Sequence, residues 1–205
     1  MRLRKNKSRV VAALVVAGLL AAGWFAFKPE TKPTTTATKP TTSQTTNTTT
    51  TERGADPAKL VAIETADFKY EKQAGWAEIS PILLESTGAA SGIGRPTEPV
   101  ATFSIKVSSS VPKDNNDLKN STLNELKKFT NFQLTTDTNI KVDNQSGQRF
   151  VYNYTDSEGQ NKSTQQMDVV VYKQKTFFLL FSSSADDYSK QTKDFDQILK
   201  GFQFK

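Results

Sequence analysis

Residues 167–181, MDVVVYKQKTFFLLF, are two strand-like runs, apolar but for Asp168 and Thr176, with a short polar break between them, and they decide the fold. The first run covers 167–172 and the second 176–181, and Lys173-Gln174-Lys175 between them has the length and polarity of a tight hairpin turn. Phe177-Phe178-Leu179-Leu180-Phe181 is apolar at every position. Successive side chains of a strand point to opposite faces, so a run without polar alternation needs cover on both sides of its sheet.

Working outward, the period-two pattern recurs. Phe150, Tyr152 and Tyr154 alternate with Val151 and Asn153, and Phe103, Ile105 and Val107 alternate with Thr102, Ser104 and Lys106. Asp156-Ser157-Glu158-Gly159 reads as a second turn. Consecutive hairpins make the sheet antiparallel. Helical spacing predicts the cover. Over 117–130, Leu118, Thr122, Leu126 and Phe129 share a face, with Asp117 as the expected cap. Tyr188, Thr192, Phe195, Ile198, Leu199 and Phe202 recur at three- and four-residue steps; Ser184 with Asp187 resembles a capping box and Gly201 supplies a stop. A further helix is expected near Pro57, where Leu60, Val61 and Ile63 lead into the domain. The expected fold class is α+β, an antiparallel β-sheet sandwiched between helices (α/β/α).

This domain, 57–205, is preceded by three segments of different character. Residues 1–9 are a basic arm with Arg2, Arg4, Lys5, Lys7 and Arg9, and residues 10–27, VVAALVVAGLLAAGWFAF, carry no charge. A run of this length, ~18 residues, just suffices to cross a bilayer as a helix. The basic excess on its N-terminal side predicts a cytoplasmic N-terminus and a domain outside the cytoplasm. Ala21-Ala22-Gly23 would suit a signal peptidase, but the run continues into Trp24, Phe25 and Phe27, which favours a retained single-pass anchor. Residues 28–56, rich in threonine with Pro29, Pro33 and Pro40, hold too little apolar surface to offset their ordering entropy and read as a disordered linker.

Charge and composition remove whole classes of function. The formal net charge is +6, but eight of the 27 basic side chains and one of the 21 acidic ones fall in residues 1–51. Residues 52–205 therefore keep 19 basic and 20 acidic groups, a net of −1 with alternating sign, and nucleic acid is not an expected partner. With no cysteine and no histidine, disulfides, thiolate or imidazole metal sites, a lipid-modified cysteine and histidine-based triads are all unavailable.

The order of elements resembles that of PsbP-like domains. Phe68-Lys69-Tyr70 running to Gly75-Trp76 is similar to the opening hairpin of that family, and the closing Tyr188 and Phe195-Asp196-Gln197-Ile198-Leu199-Lys200-Gly201-Phe202 are similar to its last helix. The resemblance spans 67–205. The chain departs from it by lacking a proline just before Trp76 and by carrying an unusual segment at 81–99. The family includes an extrinsic subunit of the oxygen-evolving photosystem, a Ran-binding nuclear import factor and bacterial envelope proteins, and it is not a catalytic family. The resemblance thus implies a non-catalytic binding or assembly module with a protein or envelope-component partner, and no cofactor. The alternatives from other classes are a small envelope hydrolase working without histidine and a carrier of a ligand or metal ion.

Candidate chemistry is sparse, and no catalytic, cofactor-binding or metal residue is assigned. Thr87-Gly88-Ala89-Ala90-Ser91-Gly92-Ile93-Gly94-Arg95 imitates a dinucleotide-binding glycine turn, but that turn needs a helix starting at its last glycines, where Pro96 and Pro99 forbid one. The plainer reading is a flexible surface loop. Asp186, Asp187, Asp194 and Asp196, or Asp114 with Asp117, supply oxygen ligands without the spacing of a calcium loop, and acids at 186–187 suit a helix start. Phe150, Tyr152, Tyr154, Phe177, Phe178 and Phe181 read as core and not as a pocket lining, and burial is expected of Trp76.

Overall fold

The computed structural model describes residues 60–156, 159 and 161–205. The basic arm, the apolar run at 10–27 and the linker lie outside the described residues, as do Ser157 and Glu158 of the expected turn. Among the described residues, no helix is long and apolar enough to cross a membrane.

The central hairpin forms as its sequence demands, with longer arms. Strand β8 (Lys162–Tyr172) pairs with β9 (Lys175–Ser184), and the turn is two residues, Lys173 and Gln174, with φ of 44° and 58°. Left-handed values at both central positions match the twist of an antiparallel pair. Strand β6 (Gln133–Val142) joins β7 (Gln145–Thr155) through Asp143 and Asn144 in the same way. With β3 (Ala77–Glu78), β4 (Ser91–Arg95) and β5 (Ala101–Ser108), these strands build a seven-stranded antiparallel sheet ordered β3-β4-β5-β9-β8-β7-β6. A three-stranded sheet ordered β1-β2-β10 combines β1 (Val61–Glu64), β2 (Phe68–Lys72) and β10 (Gln203–Phe204). The helices are α1 (Pro81–Thr87), α2 (Asn115–Leu126) and α3 (Tyr188–Lys200).

Strand β9 shows why both faces need cover. Phe177, Leu179 and Phe181 join Phe103, Ile105 and Val170 on one face, beneath Phe195 and Ile198 of α3 and Phe68, Tyr70 and Phe204 of the small sheet. Phe178 and Leu180 join Phe150, Tyr152, Met167 and Val169 on the other, beneath Leu118 and Leu126 of α2. Each such side chain contributes roughly 1.5–3 kcal/mol on full burial, so both layers are integral to the fold. The first face is closed by packed rings, with Phe181 tilted 4.3 Å from Phe195 and stacked 4.6 Å from Phe103 between centroids.

Several expectations are corrected. Val61 and Ile63 do not enter a helix; they lie in β1, which pairs with β2 and sets Ile63 opposite Tyr70. β-branched residues in so short a segment gain more from cross-strand pairing than from a marginal helix. Phe68-Lys69-Tyr70 and Trp76 are not arms of one hairpin, because β2 pairs with β1 and β10 while β3 pairs with β4 in the large sheet. The glycine segment is no flexible loop: Thr87 ends α1, Gly88 closes it at φ 67°, and Ser91–Arg95 is the paired strand β4. At Gly92 a Cβ would sit 2.9 Å from the Ile79 side chain and 3.1 Å from the Phe103 carbonyl, so glycine lets Ile79 and Leu84 close over the sheet. Helix α2 starts earlier than expected, capped by Asp114, whose carboxylate accepts from the Asp117 amide at 2.9 Å. In α3, Ser184 donates its hydroxyl to Asp187 at 2.9 Å instead of capping a helical amide, and Gly201 has an ordinary right-handed conformation. That glycine is a packing residue, since a Cβ there would meet Glu71 at 3.3 Å.

Candidate functional site

Two polar constellations stand out against this apolar frame. The first is internal. Asp168 on β8 has no exposure at all and bonds both ends of the Arg149 guanidinium, Nε and Nη2, at 2.7 Å each. Gln166 donates to the same carboxylate at 3.2 Å, and the Tyr188 hydroxyl donates to Gln166 at 2.9 Å. Burial pushes the Asp168 carboxyl up against the opposing pull of Arg149, while for Arg149 the bonds to Asp168 outweigh burial and hold the guanidinium charged. The carboxylate oxygens are fully engaged by these donors. The cluster ties β7 and β8 to α3 and is a structural clamp.

The second constellation is open and lies where the start of α2 overhangs the β6–β7 hairpin. Helix α2 buries Leu118, Thr122 and Leu126 and leaves Asn115 and Asn116 exposed. Two adjoining cavities of about 390 Å3 and 440 Å3 share Asn115, Asn139 and Gln148 in their walls. Leu118, Ile140 and Gly147 also border the first, and Asn116, Lys119 and Asp137 line the second. Asp137 is bonded within the groove: Lys119 Nζ lies 2.6 Å from it and the Gln148 amide donates to it. The carboxamides of Asn115, Asn116 and Asn139 make no side-chain hydrogen bond to another described residue. A third cavity, about 100 Å3, lies under the other flank of α2 beside Ser110 and Thr176.

A single extra residue aims this groove. Leu134 is opposite Tyr152, but Thr136 is opposite Val151 and Asp137 opposite Phe150, so Thr135 forms a bulge. Its hydroxyl donates to the Val151 carbonyl at 2.8 Å. Side-chain direction alternates along a strand, so one inserted residue transfers everything after it to the other face. The bulge thus places Asp137 and Asn139 on the α2 face while Ile140 and Val142 pack with the opposite core. No motif announces this groove, and the sequence reading missed it. Its one local signal is the run of exposed amides and hydroxyls in β6, which carries no apolar period.

The residues weighed earlier as chemistry are dispersed. Asp187 holds Lys190 at 2.6 Å, and the hydrogen bonds from Lys190 and Ser184 keep its carboxyl below the ordinary range. Asp194 pairs with Arg95 at 3.0 Å, and Asp117 accepts from the Lys113 amide at 2.9 Å. Among the described residues no group of three or more acidic side chains converges as a metal site would require. The aromatics divide between the two faces of the sheet, and Trp76 is buried.

No protein-family model matches the chain, nor does any curated protein sequence. Solved structures do match. The solution structure of cyanobacterial PsbP (CyanoP) from Synechocystis sp. PCC 6803 is similar at a TM-score of 0.53 and 15% identity, over 76% of this chain and 98% of that one. LpqN of Mycobacterium tuberculosis, described as involved in cell envelope biogenesis, is similar at a TM-score of 0.51 and 13% identity, over 71% of this chain and 90% of its own. The described domain has the PsbP-like fold.

Proposed function

We propose that this protein is a single-pass, membrane-tethered module that binds or helps assemble a component of the cell envelope, works outside the cytoplasm and is not an enzyme. The observation that carries the reading is the α2/β6–β7 groove: it is open and lined by exposed carboxamides, and the one carboxylate among its described lining residues, Asp137, is already bonded to Lys119 and Gln148. A general base must be free to reach a substrate proton, whereas a recognition surface needs placed donors and acceptors. The tether rests on the basic arm and the uncharged run at 10–27, and the linker at 28–56 gives the domain reach from the membrane surface. LpqN, a protein of similar fold, takes part in cell envelope biogenesis, and that role suits a domain held at such a distance.

A photo-crosslinking side chain placed at Asn139, on the groove wall, tests this in intact cells. Its counterpart is the same probe at Lys193, exposed on α3 above the opposite face of the sheet. The reading expects a discrete envelope adduct from position 139 and none from 193. Equal adduct patterns from both positions would contradict it.

A further inference from the structure

The groove's chemistry identifies a ligand class, and this step rests on the binding-module reading above. Each carboxamide carries an acceptor and a two-hydrogen donor in one plane, which matches a pair of neighbouring hydroxyl groups better than it matches an ion. Asn115, Asn116 and Asn139 present three such groups with no side-chain hydrogen bond to another described residue, and Gln148 stands directly opposite Asn139 across the β6–β7 ladder. The charges are muted: Lys119 and Asp137 neutralise each other at 2.6 Å, leaving Lys141 at the edge. A cation would need several free carboxylates and a phosphate would need several free basic groups, and the groove offers neither. Leu118 adds a small apolar contact for the C–H face of a sugar ring, while Ile140 borders the cavity and turns its side chain to the opposite core. The cavities, about 390 Å3 and 440 Å3, fall within the range of ordinary small-ligand sites. The bulge at Thr135 supplies an independent sign, because its effect is to direct Asp137 and Asn139 into this space, and bulges recur beside sites for that purpose.

We infer that the groove between α2 and the β6–β7 hairpin binds a neutral, hydroxyl-rich oligosaccharide, held by Asn115, Asn139 and Gln148. Among the described residues no aromatic ring lines either cavity, so affinity comes from hydrogen bonds in an open site. The expected dissociation constant is therefore on the order of 0.1–1 mM per short glycan.

The test uses the full chain in lipid nanodiscs, since a glycoside detergent would compete, and titrates cellotetraose, maltotetraose, chitotetraose and the anionic comparator tetragalacturonate by calorimetry. At least one neutral tetrasaccharide should bind saturably, and the N115A/N139A double variant should weaken it at least about tenfold while K193A leaves it unchanged. Asn139 is exposed on an edge strand, so N139A alone serves if the double variant unfolds. The inference is overturned if none of the three neutral glycans binds, if tetragalacturonate alone binds, or if binding survives the asparagine replacements. A position-139 adduct in cells without glycan binding would remove this ligand class and leave the binding-module reading standing.

Discussion

Asp168 keeps a carboxylate in the sheet interior by matching both its oxygens to one guanidinium. Removing one member of such a pair strands the other, whereas replacing both with apolar side chains removes the desolvation cost as well. R149M should therefore destabilise the domain by roughly 3–5 kcal/mol, and R149M/D168L should recover most of that loss in urea denaturation. Recovery absent from the double variant would show that the two residues act separately. Buried phenols give the pH dependence, with Tyr152 and Tyr154 also raised by burial. Burial pushes Tyr70 up to about 12 despite its 2.8 Å bond with Ser91, and burial likewise pushes Tyr188 up to about 12. An unfolded phenol ionises near 10, so above that pH the unfolded chain loses protons that the folded one retains. Stability from these groups is complete below about pH 10 and declines as pH rises towards about 12. Phenolate absorbance followed beside the urea midpoint should show the midpoint falling in that window, less steeply in Y70F. A midpoint flat between about pH 10 and 12 would contradict the burial of these rings.

At the scale of elements, the Thr135 bulge makes the sharpest prediction. Deleting Thr135 would turn Asp137 and Asn139 away from α2 and, by the same flip, take Ile140 and Val142 out of the core they pack in. Exposing those two side chains costs on the order of 3 kcal/mol, so the deletion variant should show a lower melting temperature and the loss of the Lys119–Asp137 pair. A variant with unchanged stability and an intact pair would show that the bulge does not set the register. This element also marks what was legible in the sequence. Strands that bury residues on one or both faces declared themselves, as 167–181 and Phe150-Val151-Tyr152 did, because burial writes a period into the apolar residues. Strand β6 is an edge strand with mostly exposed side chains, and it leaves no such period. β4 was hidden differently: Gly92 and Gly94 are strand residues, and close packing requires glycine at 92, but glycine reads as a loop. The polar ends of β8 and β9, such as Gln165-Gln166 and Ser182-Ser183, are buried by neighbours distant in sequence. The groove shares that fate, since helix and hairpin meet through tertiary packing.

On the scale of the whole molecule, a two-sided sheet with α3 and the small sheet on one face and α1 and α2 on the other gives a domain closed by its own layers. The groove opens at the rim of that body, beside the β6 edge. We propose that the uncharged run at 10–27 and the linker at 28–56 join this domain to a membrane. The central claim is one of topology: a binding domain outside the cytoplasm on a retained N-terminal anchor. Protease added to sealed spheroplasts that express the chain with an epitope at each end tests it most directly. The account predicts that the C-terminal epitope is lost while the N-terminal one stays protected on a short membrane-bound fragment; a C-terminal epitope that survives until the membrane is lysed would contradict it.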